Sequence, residues 1–470
     1  MSLTGKDLIA LGWKGGPLLG EALDAARQAE NDGVAREVLR VELATLWATP
    51  AALDGNDRWG ALARALIAQR QEPSVPTLRE HAIPFRVWGG EALDAATLDQ
   101  MRVACRLPVA VAAAQMPDGH VGYGLPIGGV LATRGAVIPY GVGVDIACRM
   151  RLTVVDLPAA GLEEARETLR KALIAETRFG AGAGFPHRQR RQHDMMDHPL
   201  WDRVHPVVQG LKDKAWSQLG TSGSGNHFVE WGELDLPEAD LGLPAGRYVA
   251  LLSHSGSRGF GAQIAQFYTK AAMDQTPLEP AAKRLAWLDL ATEAGQGYWK
   301  AMTLAGHYAA ANHELIHRHV VAAAGLEALA VVENHHNFAW LEEHGGEQVV
   351  VHRKGATPAG KGALGVIPGS MADPGFVVRG KGEPASLNSA AHGAGRAMSR
   401  TAARRSLTVA DLKRLLRERR VELISAGIDE APMAYKPIRE VMAAQQDLVE
   451  IVAEFHPRIV RMADDGTAED

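Results

Sequence analysis

The sequence predicts an α+β protein, a mixed-sheet catalytic body with helices packed around it, preceded by a small N-terminal helical segment over residues 1–75. Three observations carry this prediction. The first 75 residues or so repeat apolar side chains at three- and four-residue spacing, as in EALDAARQAENDGVAREVLRVELATLWA, the period of an amphipathic helix. From about residue 100, short apolar runs alternate with glycine clusters, which is the texture of buried strands ending in tight turns. Between those runs lie further segments of helical period.

Taken in order, Pro73 to Pro84 (PSVPTLREHAIP) reads as a linker, because each proline disfavours helix in the residue before it. The second domain therefore runs over 76–470. IGGVLA, YVALLS, LAVVEN and EQVVVHR suit buried strands, and most end at a glycine- or histidine-bearing turn. Helices are expected over GLEEARETLRKALIAE, over the long stretch from AKRLAWLDL to HRHVVAAA, and over TVADLKRLLRERRVELI, where Thr408 can cap the first turn and Asp411 lies within it. The DDGTAED tail is expected to fray.

Composition narrows the class. The 470 residues carry 50 Lys+Arg against 55 Asp+Glu, a net charge of −5, so the chain has no overall basic coat and nucleic acid could bind only through a local basic groove. No run approaches the ~18–20 apolar residues that span a bilayer, and the N-terminus lacks the marks of a signal peptide. A cytoplasmic protein without membrane contact is expected. Two cysteines, Cys105 and Cys148, cannot build a disulfide framework or a four-cysteine zinc module, whereas 18 histidines point towards an imidazole-rich metal site.

Several polar residues stand where a strand runs into a turn, a usual mounting point for chemistry. Asp145 and Cys148 are three apart and can converge on one centre, a carboxylate and thiolate pair suited to Mn, Zn or Fe; a lone cysteine there is ordinarily a small buried hydrophobe. Asn226-His227 follows TSGSG, His254 lies in SHSGSRG, and His335-His336-Asn337 follows ALAVV. Any one of these histidines alone would usually be structural. Together with the Asp and Cys they amount to one two-metal site or two adjacent sites, with a thiolate able to bridge two ions. Ile367-Pro368-Gly369-Ser370-Met371 could offer backbone N–H groups and a hydroxyl to a phosphate or base edge. In Ala391-His392-Gly393-Ala394-Gly395-Arg396 an imidazole stands beside glycines that admit close approach, with an arginine four residues on. Such an imidazole can be a base, an electrostatic stabiliser or a nucleophile forming a phosphoramidate.

Read together, these segments resemble the RtcB family of GTP- and manganese-dependent RNA-splicing ligases. The likeness runs from about residue 100 to 460 through MPDGHVGYGLPIGG, GVGVDIACRM, GTSGSGNHFVE, HSGSRGFG, NHHNFA, RKGATPAGKGALGVIPGSM, AAHGAGRAMSRTAARR and IDEAPMAYKPI, all in the family's order. The resemblance implies an RtcB-like catalytic fold in which Asp145, Cys148, His227, His254 and His336 bind two Mn(II) ions and His392 becomes guanylylated. It implies that Asn226, Asn337, the turn Pro368, Gly369, Ser370 and Met371, and Gly393, Ala394, Gly395 and Arg396 hold GTP, with Glu230 a further candidate for a ribose or base contact. The implied reaction joins RNA 3′-phosphate or 2′,3′-cyclic phosphate ends to 5′-hydroxyl ends in RNA repair or tRNA splicing. The implied partners are RNA, with tRNA or another structured RNA as candidates, and an archease-type activator. The oligomeric state is left open.

Departures from the family pattern bear on nucleotide choice. Ala463 stands where a C-terminal lysine would align, Ala372-Asp373-Pro374 follows the PGSM turn in place of glycine, and Tyr123 replaces a lysine. Residues Asn388 to Ala391 before HGAGR are plainer than usual. These mark a divergent paralogue and keep open a metal-dependent nucleotidyltransferase or phosphoesterase acting on RNA ends with altered nucleotide use. A catalytically silent RNA binder is the reading from another class, and retention of all five candidate ligands and His392 argues against it. The basic lining that RNA would require is expected from His187, Arg188, Gln189, Arg190 and Arg191, with Arg400, Arg404, Arg405 and the Lys413/Arg414/Arg417 helix. The stretch TGKDLIALGWKGGPLLGEALDAARQAENDG loosely resembles the tail region of tRNA nucleotidyltransferases; a plain helical packing element is the alternative.

Overall fold

A computed structural model describes residues 3–70 and 76–464. By its internal contacts the chain divides into two compact units, Met1–Val75 and Pro76–Asp470. In the first, the helices Gly5–Ala10, Pro17–Asn31, Arg36–Ala48 and Gly60–Arg70 bury one shared core of Leu8, Trp13, Ala22, Ala26, Leu39, Leu43, Trp59 and Leu66. Ala22 and Ala26, and Leu39 and Leu43, are four apart and so share one face of their helix, while Trp13 and Trp59 enter from the connecting segments. Thr4 and Asp7 form a reciprocal capping box at the first helix, and the indole of Trp13 donates to the Leu43 carbonyl at 3.1 Å.

Of the expected linker, residues 73–75 lie outside the described residues. Residues 76–84 are tied down within the second unit: Arg79 N–H donates to the Arg106 carbonyl at 2.8 Å, Ile83 N–H to the Cys105 carbonyl at 3.0 Å, and Leu78 is buried. Of the tail expected to fray, residues 465–470 lie outside the described residues.

The second unit is built on two mixed sheets. The larger runs in the order Leu364–Ile367, Gly375–Gly380, Val449–Met462, Phe228–Leu236, Gly246–Ser255, Arg149–Pro158, Ala328–His335, with Glu422–Ser425 paired to Val449–Met462. Neighbours along this path are antiparallel, whereas Glu422–Ser425 is parallel to its partner. Asn334 clasps the two ends: its Oδ1 accepts from Val366 N–H at 2.8 Å while its Nδ2 donates to the Val366 carbonyl at 3.4 Å. The sheet is therefore nearly closed. Its strands alternate as a two-sided sheet requires: Ala250 and Leu252 join the inner core with Met150, Leu152, Val332 and Phe455. Val249 and Leu251 face the other way, with Leu169 and Leu173 of helix Leu162–Glu176 and Ile316 and Val320 of helix Glu293–Ala323.

The smaller sheet has the order Arg86–Val87, Ala110–His120, Ile127–Thr133, Glu347–Lys354, Asn337–His344. The α+β class and mixed sheets thus match the sequence reading, with two local differences. The long helical stretch begins only at Glu293, where Thr292 caps Gly295, because Leu288–Asp289 bridges to Ala136–Val137. The helix after Thr408 ends at Arg419, where Arg420 turns left-handed at φ 57°, and the following Glu422–Ser425 joins the large sheet instead of continuing it.

Candidate functional site

Strand register assembles the site. Phe228 pairs with His254, His254 with Met150, and Met150 with Asn334, so His227, His254, Cys148 and His336 all fall at one rim of four adjacent strands. His336 occupies the corner between Ala328–His335 of the large sheet and Asn337–His344 of the small one. Ahead of Cys148, Ala147 is held at φ 57°, a conformation a non-glycine residue keeps only when its surroundings fix it; its N–H donates to the Asn337 carbonyl at 2.6 Å.

Two triads result, Asp145/Cys148/His227 and Cys148/His254/His336, each with its ligand atoms within 4.8 Å of one another. Cys148 belongs to both. Its Sγ lies 3.0 Å from His254 Nε2 and 3.5 Å from His227 Nε2. His254 Nε2 is 3.3 Å from His336 Nε2, and His227 Nε2 is 3.1 Å from Asp145 Oδ2. The surroundings orient these groups. His254 Nδ1 donates to the Asn226 carbonyl at 3.3 Å, which leaves its Nε2 bare towards the thiol. Asp145 Oδ1 accepts from Ser257 N–H at 3.0 Å, and a Cβ on Gly256 would sit 2.1 Å from that oxygen, so only glycine fits there. His227 Nδ1 lies 3.3 Å from the buried guanidinium of Arg258.

A cation fits this donor set. Asp145 Oδ2 is buried and takes no well-aligned hydrogen bond, and it faces His227 Nε2 at 3.1 Å, beside a thiol; loss of the His227 Nε2 and Cys148 protons on metal binding would turn both into ligands. Burial, with the nearby His227 and His392, pushes His254 down to about 3, and burial holds His336 well below the ordinary imidazole range; both are neutral at pH 7, the form that ligates. Burial opposes the charge of Asp145, but His227 and Arg258 together hold its carboxyl below the usual range. Thiolate, imidazole and carboxylate suit a divalent first-row metal, and the shared Cys148 suits two.

Above these triads opens a cavity of about 260 Å³. Cys148, His254 and His336 form part of its wall; Asn226, Asn337, Pro368, Gly369, Ser370 and Met371 another part; His392, Gly393, Ala394, Gly395 and Arg396 a third. Asp145 and His227 lie beneath it. Glu230 does not line it: it is buried on the strand Phe228–Leu236, and burial pushes its carboxyl well above the usual range. The rings of His392 and His336 are 4.9 Å apart.

Two residues that sequence reasoning did not single out define this end of the cavity. Asp118, fully buried, places Oδ2 2.6 Å from His392 Nδ1, and the same oxygen accepts the N–H of His392 at 2.9 Å and of Gly393 at 3.3 Å. A Cβ on Gly395 would sit 2.0 Å from the Asp118 carbonyl, and Gly395 has φ +72°, so the HGAGR turn can close on Asp118 only with glycine there. The signal was present in the MPDGH run, an acid at the end of the strand Ala110–His120. Glu430 fixes the cationic wall with Asp429, pairing with Arg396 at 3.3 Å and closely with Arg400.

Other expected residues are already engaged. Asn337 donates Nδ2 to the Asp145 carbonyl and accepts Gly355 N–H on Oδ1 at 2.8 Å, so its amide braces the metal-side loop, whereas Asn226 Oδ1 is buried and unpartnered. Ser370 donates its hydroxyl to Asp373 at 2.6 Å. Of the expected RNA lining, Arg191 is buried, with Glu176 and the Gly220 carbonyl as partners; it is a structural arginine. Arg190 pairs with Asp213 at 2.6 Å.

Residues 100–463 match the family model described as tRNA-splicing ligase RtcB. The chain is 36% identical over 399 residues to the RNA-splicing ligase RtcB of Escherichia coli K12, covering 78% of this chain and 95% of that protein. It is 31% identical over 462 residues to the tRNA-splicing ligase RtcB of Nanoarchaeum equitans, covering 82% and 96%. Against the RNA-splicing ligase RtcB of Mycobacterium bovis it is 34% identical over 411 residues, covering 73% and 94%.

Proposed function

The chain belongs to the tRNA-splicing ligase RtcB family, and from that premise we propose that it joins RNA 3′-phosphate or 2′,3′-cyclic phosphate ends to 5′-hydroxyl ends, using GTP, two Mn(II) ions and a guanylylated His392. The observation that carries this reading is the meeting, in one cavity, of an imidazole oriented by a buried carboxylate with a two-triad donor set sharing one thiol.

Asp145, Cys148 and His227 would hold one ion, and Cys148, His254 and His336 the other; when bound, the ions neutralise triphosphate charge and polarise the reacting phosphorus. Asp118 accepts the Nδ1 proton of His392, which leaves the Nε2 lone pair towards the cavity. That nitrogen attacks the α-phosphorus of GTP: the P–N bond forms as the bond to pyrophosphate breaks. The GMP then passes to an RNA 3′-phosphate oxygen, freeing His392. A 5′-hydroxyl oxygen attacks the activated RNA phosphorus: the new O–P bond forms as the P–O bond to GMP breaks, and the hydroxyl proton passes to solvent. A cyclic end is first opened by water. Asn226, the turn Pro368 to Met371, the backbone of Gly393 to Gly395 and the fixed guanidinium of Arg396 are the proposed nucleotide contacts; Glu230, beneath the wall, would act only indirectly. RNA is the proposed macromolecular partner, the cytoplasm the proposed compartment, and an archease-type activator the protein partner to test. Among the described residues no helix is long and apolar enough to cross a membrane.

Incubation with Mn(II) and α-labelled GTP, ATP, CTP or UTP, followed by mapping of the acid-labile adduct, tests the reading. Label from GTP on His392 and sealing of 3′-phosphate to 5′-hydroxyl RNA are expected. One observation favours the alternative of a nucleotidyltransferase or phosphoesterase with altered nucleotide use: Asp373 already takes the Ser370 hydroxyl. Label only from a nucleotide other than GTP would select it. No adduct with any nucleotide, alongside intact RNA binding, would leave the silent binder.

A further inference from the structure

The loop between the strands Ala110–His120 and Ile127–Thr133 carries an aromatic ring into solvent on a fixed backbone. Tyr123 is 65% exposed, yet its loop is pinned at successive residues. Gln100 accepts Gly122 N–H at 3.0 Å and donates to the Gly122 carbonyl at 2.7 Å, and Lys354 Nζ donates to the Tyr123 carbonyl at 2.5 Å. The guanidinium of Arg284 lies 4.3 Å from the centroid of the Tyr123 ring and 5.3 Å from that of Tyr140. Beyond Arg284 runs a groove that also contains Lys270 and Lys283, three exposed cations against the single carboxylate of Asp274.

This shelf adjoins the reaction cavity. Lys354, which holds the Tyr123 carbonyl, precedes Gly355 in the cavity wall, and a Cβ on Gly355 would lie 3.1 Å from His392 Cε1. Single-stranded nucleic acid is held by the pairing of an aromatic face with a track of positive charge. In a chain of net charge −5, that charge has to be concentrated locally. A ring already aligned with a guanidinium, on a backbone that need not be ordered on binding, loses little entropy when a base stacks on it.

We propose that Tyr123 and Arg284 form a stacking platform for one unpaired nucleobase of the RNA substrate near its reacting end, with Lys270 and Lys283 receiving the adjoining phosphates. The proposal rests on the RNA-ligase reading and adds a base contact outside the nucleotide cavity. Stacking rather than base-edge hydrogen bonding makes the platform tolerant of sequence.

The test uses the full chain and a fluorescein-labelled single-stranded RNA bearing a 3′-phosphate, at fixed salt. Tyr123→Ala is expected to weaken binding about tenfold or more, on the scale of one base–aromatic stack, and Tyr123→Phe to bind within about twofold of the parent, since the phenyl face stacks equally well. A single abasic nucleotide is then moved through the positions nearest the end. At one position the parent should lose the same factor and Tyr123→Ala should lose nothing further, whereas Lys270→Ala should keep the abasic penalty and show a shallower salt dependence. Equal binding by parent and Tyr123→Ala, or a Tyr123→Ala loss indifferent to every abasic position, would overturn the platform. Adduct formation on His392, measured alongside, should be unchanged in Tyr123→Ala. If the parent forms no adduct but the abasic coupling is found, the ligase reading falls and the base platform stands.

Discussion

Asp118 Oδ2 accepts three N–H groups from one turn, the ring Nδ1–H of His392 and the backbone N–H groups of His392 and Gly393. A single carboxylate oxygen thus fixes both the tautomer of the imidazole and the path of the chain that presents it. The ionised form has no proton to donate and can serve all three donors at once.

Asp118→Asn is therefore expected to slow adduct formation by about a hundredfold or more, the scale for an imidazole deprived of the carboxylate that sets its tautomer. The amide presents an N–H where a donor already points, or turns its weaker acceptor inward. Single-turnover labelling should show the loss in rate with the KM for nucleotide nearly unchanged. A loss confined to KM would assign Asp118 to nucleotide binding instead.

Cys148 is the atom common to both triads, so its removal should cost both ions and not one. Cys148→Ala is expected to abolish adduct formation, and metal analysis after desalting should give less than one manganese per chain. His336→Ala, which touches one triad, should retain one ion more readily. An unchanged adduct yield in Cys148→Ala would refute the shared-thiol assignment.

Asp373 takes the hydroxyl of Ser370 in the turn beside the cavity. Asp373→Gly frees that hydroxyl and is expected to shift the ratio of KM values between GTP and competing nucleotides by about three- to tenfold, the worth of one neutral hydrogen bond. Labelling with each nucleotide measures the ratio, and the adduct should remain on His392.

Asn334 closes the large sheet through the N–H and carbonyl of Val366. Asn334→Ala leaves a buried N–H unsatisfied and should cost about 2 kcal/mol, read as a lower urea midpoint at unchanged slope. Because Asn334 lies two residues from His336, weaker metal retention should accompany it.

Burial, with the nearby charge of Arg284, lowers Lys354 from its ordinary 10.5 to about 7. Between about pH 7 and 10.5 the unfolded chain holds this proton and the folded chain does not, so this group makes stability rise with pH across that window. Lys354→Met should flatten that part of the profile, measured as denaturation midpoint against pH. A slope unchanged in the variant would assign it to other groups.

Much of this was legible in the sequence. The runs IGGVLA, YVALLS, LAVVEN and EQVVVHR are strands in the structure; the expectation of burial fails for LAVVEN, whose Leu329 and Val331 are exposed, because it is the last strand of the large sheet and only one face of it is covered. The 14-residue strand Val449–Met462 was not legible, since charged side chains interrupt it and Pro457 lies where its pairing shifts register. The same limit applies at the site. Asp145, Cys148, His227 and His254 could be singled out by residue type and by their positions at turns, His336 over its neighbour His335 only through the family resemblance, and Arg191 looked like a surface cation by type alone until its burial against Glu176.

Residue chemistry picked out side chains fit to hold metal, a property of the side chain and its local turn, and the order of motifs carried the resemblance that implies His392 as the imidazole to take a phosphoryl group. Only the tertiary structure decided that Cys148 is shared by two triads, that Asp118 meets His392 across 274 residues, and that Tyr123 stands on a cationic shelf beside the cavity. Those relations are set by strand register and by which rim two sheets share, and contacts between residues so distant in the chain leave no periodic trace in it.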